Sequence, residues 1–228
     1  EVAQDTFKLY SCMLTLAPPT SKVNIQEAEL AKVALNAYIT TKISFANYLG
    51  NLAEKIPGVN VDNVTNAIGQ DKRIGTKYFK AGAPYGGTCF PRDTWAFLKV
   101  SNRVGMFAEQ MAANEKINND TLDVIANKIG DEKLIGLLGL GFKPGTSVTT
   151  EGLAEKLLTM GKLKDKQVMV FDRYIDTLNK NSDLPINNYA TMLNINGELI
   201  RGDTILIKQF VSSTKNDIYF QDMTSNEL

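Results

Sequence analysis

The stretch from residue 82 to residue 93 reads Gly82-Ala83-Pro84-Tyr85-Gly86-Gly87-Thr88-Cys89-Phe90-Pro91-Arg92-Asp93. Its glycines let the backbone adopt left-handed conformations and approach a ligand closely. Pro91 suits the first turn of a helix, where its missing N–H group leaves no hydrogen bond unmade. We therefore predict that Cys89 ends a loop leading into a helix N-terminus, where backbone amides and the helix dipole favour a thiolate.

A carboxylate accompanies this cysteine. Asp93 falls about one helical turn after Cys89, so both side chains reach the same space. A nucleophile beside a proton acceptor is a recurring arrangement in covalent catalysis. The alternative is that Cys89 is a buried small hydrophobic residue, as most free cysteines are. The flanking glycines, Pro91 and Asp93 favour the catalytic interpretation.

The composition narrows the class of protein. The chain has 228 residues, enough for one large or two small domains, and its 25 basic residues balance 25 acidic ones. Zero net charge gives no default attraction to nucleic acid or to a membrane surface. A hydrophobic content of 43% is typical of a soluble chain with a core. Two cysteines, Cys12 and Cys89, do not form a disulfide framework, so we expect a reducing cytoplasm.

The sequence contains no histidine. Acid–base chemistry must then come from Asp, Glu, Lys, Cys or water. Zinc sites built on histidine, and Ser-His or Cys-His pairs, are excluded within this chain. We predict no metal site.

A long segment from residue 25 to about residue 56 has helical periodicity, with Leu30, Ala34 and Tyr38 four residues apart. We predict one long helix. Lys32 and Asn36 share a face of it, to which Asn47 nearly returns eleven residues later. From spacing alone, a solvated helix face is an equal alternative for this polar stripe.

The rest of the chain is predicted to be helical up to residue 130. We expect a short helix before Pro18-Pro19, a helix over 62–68 capped by Asp62 and ended by Gly69, and helices over 94–104 and 107–129. The side chains of Met106, Phe107 and Met111 are predicted to belong to the core.

The periodicity changes after Gly130. The apolar run 134–140 is typical of a buried parallel strand, and further strands are predicted over 167–171, 204–207 and 217–220, with a helix over 151–161. Alternation of strands and helices indicates a parallel, doubly wound sheet. The predicted fold class is therefore α/β: an all-helical domain built on one long helix, followed by a Rossmann-like parallel-sheet domain.

The cysteine stretch resembles the active-site loop of the UDP-glucose/GDP-mannose dehydrogenase family, which reads roughly G-x-G-Y-G-G-x-C-x-P-K-D. Pro84 and Arg92 depart from that pattern. The long helix resembles the family's E-x-x-K-x-x-x-N-x-x-x-A-x-x-I-S-F-x-N-E, with Tyr48 in place of the last glutamate. By this resemblance Lys32 and Asn36 join Cys89 and Asp93 as catalytic residues.

The resemblance also implies substrate-binding residues. Residues 71–75 resemble the family's D-x-R-I-G, in which the arginine reaches across a dimer to the partner's sugar nucleotide. That role falls on Arg73, whose alternative is an ordinary surface arginine. Tyr78, Tyr85 and Gly86 match positions of the substrate pocket.

Three further positions match or depart from the family pattern beyond the cysteine helix. Lys143 matches the lysine of G-L-x-F-K-x-x-T-D-D-x-R-E-S and is implied to contact substrate and cofactor. Thr150 replaces the arginine that helps to hold NAD, and we predict that it is the N-cap of the next helix. Asn118 resembles a helix asparagine common in the family, with a polar surface residue as the alternative.

The resemblance covers the last two-thirds of a family member. It implies that residues 1–24 end a dinucleotide-binding domain, that 25–130 form a helical catalytic and dimerisation domain, and that 131–228 bind the nucleotide of the substrate. We expect the first domain to have been removed or to be a separate chain. A homodimer through the long helix is also implied.

The implied reaction is oxidation of the C6 alcohol of a nucleotide sugar to a carboxylate by two NAD, through a thiohemiacetal and a thioester on Cys89. UDP-glucose is the leading substrate, and GDP-mannose and UDP-N-acetylhexosamines are alternatives. A non-catalytic nucleotide-sugar-binding or dimerisation module is the alternative from another class. We expect the chain alone to turn over poorly, because a further catalytic glutamate of the family lies in the first domain.

Overall fold

The computed structural model describes residues 2–15, 19–132, 134–143, 145–159, 161, 163 and 166–171, together with short strands at 188–189, 192–193 and 199–201. The chain divides into two compact units, Glu1–Lys32 and Val33–Leu228. None of the described helices combines the length and the apolar character needed to cross a membrane.

The first unit holds helix α1, Val2–Met13, and the start of helix α2. α1 confirms the predicted short helix before Pro18-Pro19. A reciprocal pair of bonds begins α2: the backbone N–H of Glu27 donates to Asn24 Oδ1, and the N–H of Asn24 donates to Glu27 Oε2, both at 2.8 Å. This capping box satisfies two amides that have no partner within the helix.

Helix α2 runs over Ile25–Ala53, which confirms the predicted long helix. Its buried positions beyond residue 33 are small or polar: Ala37, Thr40, Ser44, Ala46, Asn47, Gly50 and Ala53. Other large apolar side chains of this part of α2 are half-buried, and five are exposed: Leu35, Tyr38, Phe45, Tyr48 and Leu52. Small residues allow neighbouring segments to approach the helix closely, and the hydroxyl and amide groups provide hydrogen bonds to them.

Helix α3, Val61–Gly69, has Asn60 rather than Asp62 as its N-cap. The Asn60 side-chain oxygen accepts a 2.8 Å bond from the Asp62 backbone N–H. The predicted cap was therefore wrong by two residues, because two capping residues compete and the first one takes the non-helical position. Asp62 instead lies in the first turn, where its charge favours the helix dipole.

Helix α4, Phe90–Arg103, and helix α5, Glu109–Ile129, complete the helical part. Met111 is buried as predicted. Met106 and Phe107 are 64% and 88% exposed, so their assignment to the core was wrong. Both residues follow the left-handed Gly105 (φ 74°) in the α4–α5 connection, before α5 begins. Helical periodicity therefore does not govern where their side chains point.

Beyond α5 the chain forms strand β1, Leu134–Leu138, helix α6, Leu153–Thr159, and strand β2, Gln167–Phe171. β1 pairs with β2 in parallel, with Leu134 opposite Gln167 and Leu138 opposite Phe171. β2 pairs in parallel with β3, Asn188–Tyr189, and β4, Met192–Leu193, pairs in antiparallel with β5, Leu199–Arg201. The strands predicted at 204–207 and 217–220 lie outside the described residues.

A hydrophobic core joins α5 to the β1–α6 segment. Its members come from α5 (Leu122 and Ile125), β1 (Ile135 and Leu137), α6 (Leu153, Ala154, Leu157 and Leu158), and Leu140, Leu163 and Val168. This packing places the segment before α6 beside the α5 helix.

The N-cap predicted for α6 was wrong. The helix begins at Leu153, so Thr150 lies three residues before it. Gly152 takes the preceding position, and its carbonyl accepts the N–H of Lys156 at 3.0 Å. Glu151 adopts a left-handed conformation (φ 57°), which turns the chain after Thr150 and delays the start of the helix.

Candidate active site

A buried carboxylate lies where α2 meets the start of α4. Asp93 is 4% exposed, and its Oδ2 accepts a 2.6 Å hydrogen bond from Asn36 Nδ2. Its Oδ1 accepts a 3.0 Å bond from Arg92 Nε, whose side chain is largely exposed. Donors on both oxygens hold the carboxylate in one orientation, and charge-assisted bonds of this kind are stronger than neutral ones.

Cys89 occupies the N-cap position of α4, with Pro91 in the first turn, as the sequence predicts. The Cys89 carbonyl accepts the Asp93 backbone N–H at 2.9 Å, so the two residues are one helical turn apart. The Cys89 thiol is exposed and lies 3.7 Å from the hydroxyl oxygen of Thr88. The Cys89 sulfur is therefore an exposed group at a helix N-terminus, one helical turn from the residue that carries the fixed carboxylate.

A hydroxyl pair next to this carboxylate was not predicted. Thr40 and Thr94 are both buried, and their Oγ1 atoms are 3.2 Å apart. Thr40 gives its only hydroxyl proton to the Ala37 carbonyl at 2.9 Å, so Thr94 is the donor in the pair. Thr40 lies four residues after Asn36, and Thr94 directly follows Asp93. The hydroxyl pair therefore joins α4 to α2 next to the Asn36–Asp93 hydrogen bond.

The loop before Cys89 is held by buried amides. Asn118 of α5 is buried, and it bonds the backbone N–H and carbonyl of Tyr85 at 2.7 and 3.0 Å. Asn47 of α2 bonds the Gly82 N–H and the Ala83 carbonyl at 2.8 and 3.3 Å. The alternative that Asn118 is a polar surface residue is therefore wrong. The resemblance to a helix asparagine of the family gave one sequence signal for this residue, and its place four residues before the buried Leu122 gives another.

The glycines of the loop are required by close packing. A Cβ built on Gly86 would overlap the carbonyl oxygen of Glu151, and one on Gly87 would overlap the ring of Phe142. Gly87 also has a left-handed φ of 77°. The loop therefore lies directly against residues 142 and 151, at the end of the segment that follows β1.

A cavity of about 650 Å³ opens beside this loop and the start of α4. Its lining includes Tyr85, Gly87, Thr88, Pro91, Arg92, Trp95, Glu115, Asn118, Asn119, Thr150, Glu151, Lys156 and Thr159. Across it the Trp95 indole N–H donates to Glu115 Oε1 at 2.9 Å. Burial, with a further contribution from the Glu115 charge, raises the pKa of Tyr85 well above its usual value. The Tyr85 phenol is therefore neutral at physiological pH.

Four of the residues implied in substrate binding lie outside that lining: Gly86, Arg73, Tyr78 and Lys143. Arg73 is largely exposed and bonds the Asp71 carboxylate, which lowers the pKa of Asp71. Tyr78 has a left-handed backbone (φ 59°) and packs edge-on against the ring of Phe90, 6.0 Å away. Lys143 is exposed, with its Nζ 5.5 Å from the Phe142 ring.

The structure brings together Asn36, Cys89 and Asp93 of the four residues implied in catalysis. Lys32 belongs to the first compact unit, so its place beside Cys89 stays a prediction. Within the described part of the chain, no group of three acidic or cysteine side chains is arranged to hold a metal ion.

Comparison with known proteins places this site in a family. Residues 26–120 match the model of the UDP-glucose/GDP-mannose dehydrogenase family, central domain. UDP-glucose 6-dehydrogenase YwqF of Bacillus subtilis is 37% identical over 164 residues, which are 68% of this chain and 36% of that protein. UDP-glucose 6-dehydrogenase AglM of Haloferax volcanii is 40% identical over 134 residues, which are 57% of this chain and 31% of that protein.

A solved structure agrees with these relatives. The UDP-glucose dehydrogenase from Pyrobaculum islandicum superposes with a TM-score of 0.71 at 30% identity, covering 83% of this chain and 44% of that one. The chain thus spans about a third of the length of the curated relatives it matches.

Proposed function

Because the chain belongs, through its central domain, to the UDP-glucose/GDP-mannose dehydrogenase family, we propose that it carries the catalytic cysteine of a nucleotide-sugar 6-dehydrogenase. The proposed reaction converts UDP-glucose to UDP-glucuronate with NAD. The observation that carries this proposal is the Asn36–Asp93 pair, held at 2.6 Å one helical turn from the exposed thiol of Cys89. UDP-glucose is preferred because the relatives above bear its name.

The residues divide the chemistry by type. The Cys89 sulfur, as thiolate, adds to the C6 aldehyde and forms a thiohemiacetal, whose oxyanion Lys32 and Asn36 stabilise by charge and by hydrogen bonding. After oxidation to the thioester, Asp93 orients a water molecule and accepts its proton. Attack by that water on the thioester carbonyl breaks the C–S bond, which releases the carboxylate and returns the Cys89 sulfur as a leaving group.

Bound NAD supplies the acceptor of the hydride in each of the two oxidations. The cavity beside α4 would hold part of the dinucleotide, with Arg92 and Lys156 as the cations of its lining for a pyrophosphate and the half-exposed Trp95 as an aromatic face. Arg92 pairs with Asp93 at 3.0 Å, and Glu115 adds a negative charge to the same lining. Lys156 already bonds Glu151 at 2.9 Å, which offsets some of that charge. Thr150 lines the same cavity without adding a cation, and this favours weak binding of the cofactor.

The organisation of the chain is part of the proposal. Residues 1–24 would end a dinucleotide-binding domain, residues 25–130 would form the catalytic and dimerisation domain, and residues 131–228 would form a Rossmann-like domain for the nucleotide of the substrate. The parallel pairing of β1 with β2 supports the last assignment. In that arrangement Tyr78, Tyr85, Gly86 and Lys143 contact the sugar nucleotide.

Homodimerisation would use the exposed apolar row on α2, formed by Leu35, Tyr38, Phe45, Tyr48 and Leu52. Four of these side chains recur at helical spacing on one face of the helix. A row of large apolar groups on one helix face favours a partner surface. Arg73 would then reach the site of the partner subunit.

Ligand-induced stabilisation tests the substrate, and thiol labelling tests the chemistry. The melting temperature is measured with UDP-glucose, UDP-N-acetylglucosamine, GDP-mannose and NAD. A ligand that binds only the folded state raises the melting temperature, so UDP-glucose should raise it more than the other two sugar nucleotides do. A larger rise with either of the other sugars would reassign the substrate within the family.

Alkylation by iodoacetamide, followed for each cysteine by mass spectrometry, separates the enzyme from the non-catalytic module that the Thr150 substitution favours. Cys89 should react faster than Cys12, which is also exposed and serves as the internal control. Equal rates, together with no rise in melting temperature for any sugar nucleotide, would overturn the proposed function.

A further inference from the structure

Residues 81–86 contain no helix or strand, although this segment carries Tyr85 and Gly86 and leads to Cys89. Buried peptide groups need hydrogen-bond partners, and an irregular segment must find them outside a regular ladder. Tyr85 itself is buried. The partners of this segment are therefore what fixes its path towards the cysteine.

Two buried side-chain amides supply those partners. Asn47 Oδ1 accepts the Gly82 N–H at 2.8 Å, and its Nδ2 donates to the Ala83 carbonyl at 3.3 Å. Asn118 Oδ1 accepts the Tyr85 N–H at 2.7 Å, and its Nδ2 donates to the Tyr85 carbonyl at 3.0 Å. Both asparagines are 2% exposed. We call Asn47 and Asn118 the amide clamp.

Each amide of the clamp presents one acceptor and one donor to the loop, as a neighbouring strand would do. The two amides come from different helices, α2 and α5, so they hold the loop from two directions. An ionised carboxylate lacks the donor and a hydroxyl lacks the geometry, so among side chains of this size only an amide or a protonated carboxyl group offers both groups in one plane.

The clamp is connected to the cysteine by a short and restricted path. Between Tyr85 and Cys89 lie Gly86 and Gly87, which pack so closely on Glu151 and Phe142 that neither position accepts a Cβ, and then Thr88. The far end of this path is the first turn of α4, which Asn36 and the buried hydroxyl pair hold to α2. The near end of the path is thus fixed by α5 through Asn118, with α2 holding the residues just before it through Asn47, and the far end is fixed by α2.

We infer that Asn47 and Asn118 are positioning residues that set the Cys89 thiol and the Tyr85 ring relative to Asp93. This inference rests on the proposed function, because it assigns the clamp to the reaction of Cys89. It adds two residues that act through the loop and do not touch the reacting atoms.

Hydrogen exchange of the unaltered protein gives the first test, resolved to single residues by NMR or fragmentation mass spectrometry. The amides of Gly82 and Tyr85 should exchange at least about tenfold more slowly than in an unstructured chain, because each donates to a buried asparagine oxygen. Exchange of both at the unstructured rate would overturn the inference without any variant.

The second test uses Asn118→Asp, with Asn127→Asp on the exposed side of the same helix as the matched control. In the first variant, a protonated carboxyl group can accept the Tyr85 N–H and donate to the Tyr85 carbonyl, whereas an ionised carboxylate cannot donate. Burial raises the pKa of such a carboxyl group. In Asn118→Asp, the protection of the Tyr85 amide from hydrogen exchange should therefore equal that of the parent at pH 5 and be about tenfold lower than that of the parent at pH 8.

The labelling rate of Cys89 relative to Cys12 should move towards one in Asn118→Asp at pH 8, and stay at the parent value in Asn127→Asp. If Asn118→Asp folds, the exchange protection of its Tyr85 amide does not depend on pH and its ratio of Cys89 to Cys12 labelling rates equals that of the parent, the inference is wrong. Exchange reports on the clamp alone. If Cys89 and Cys12 of the parent protein are labelled at equal rates while the Gly82 and Tyr85 amides are protected from exchange, the result would therefore count against the proposed enzyme. It would leave intact the conclusion that the amide clamp holds the loop.

Discussion

The substitution Gly86→Ala tests whether the cysteine loop packs on the segment before α6. A Cβ at this position overlaps the carbonyl oxygen of Glu151 and lies 2.9 Å from its carbonyl carbon, inside the 3.0 Å that real Cβ contacts keep. The obstacle is backbone and cannot rotate away. Gly86 does not adopt a left-handed φ, so steric overlap is the cause of any effect.

The expected cost follows from the overlap. Forcing an extra methyl group into a packed site costs about 1–3 kcal/mol, and a rigid backbone obstacle favours the upper half of this range. For a chain of this length, each kcal/mol lowers the melting temperature by about 2–4 °C. We therefore expect a fall of roughly 4–12 °C, with a changed labelling rate at Cys89 because the loop must move away from Glu151.

Calorimetry and urea denaturation, combined with alkylation of Cys89 and Cys12, measure these effects. The control is Gly58→Ala, where φ is 81° and no atom lies within 4 Å of the new Cβ. It should cost about 1 kcal/mol through backbone strain alone and leave the labelling of Cys89 unchanged. Gly86→Ala with the stability and labelling of the parent would refute the packing of the loop on residue 151.

Three further predictions follow from single contacts. Asn36→Ala removes the donor of a 2.6 Å hydrogen bond to the buried Asp93 carboxylate. The free energy of unfolding, measured by urea denaturation, should fall by about 1–3 kcal/mol, and an unchanged value would show that this bond does not stabilise the protein. Tyr38→Glu should turn a dimer into a monomer by light scattering, and a parent monomer would refute that interface. The raised pKa of Tyr85 means that, above pH 10, the unfolded chain holds fewer protons than the folded chain, so the free energy of unfolding falls as pH rises. Tyr85→Phe should lessen this fall between pH 10 and 11 by up to about 1.4 kcal/mol, and a fall that is the same in the variant and the parent would contradict the prediction.

Local rules predicted the parts of the site that lie within a few residues of one another. Pro91 and the glycines before Cys89 indicated a loop entering a helix, and Pro91 does lie in the first turn of α4, although α4 begins at Phe90, four residues before the predicted span of 94–104. The helical periodicity of the segment from residue 25 to about residue 56 likewise predicted α2. These features depend on backbone preferences that each residue carries with it wherever the chain folds.

Features that depend on competition or on distant partners were not predictable in this way. Asn60 and Asp62 are both good caps, and local sequence does not decide between them. The helix predicted over 107–129 begins only at Glu109, so Met106 and Phe107 lie in the connection that follows Gly105. The contacts of Thr40 with Thr94, and of Asn47 with the Gly82 loop, join residues 54 and 35 positions apart, which no local pattern encodes.

The distribution of side chains on α2 connects the site to the proposed dimer. A helix that only supported a core would bury its large apolar residues, yet α2 buries Thr40, Ser44 and Asn47 and exposes Tyr38 and Phe45. The buried groups are directional. Thr40 bonds α4, the Ser44 hydroxyl donates to a carbonyl of α5, and Asn47 bonds the cysteine loop.

A polar inner face gives up some hydrophobic stabilisation, because hydrogen bonds exchanged with water contribute less than the burial of large side chains. Its hydrogen bonds instead fix the orientation of α4, α5 and the cysteine loop relative to α2. The apolar area left outside then becomes available for a partner. The same helix would thus orient the catalytic residues on one side and bind a second subunit on the other, so a change that tilts α2 in the dimer should also move Asn36 against Asp93.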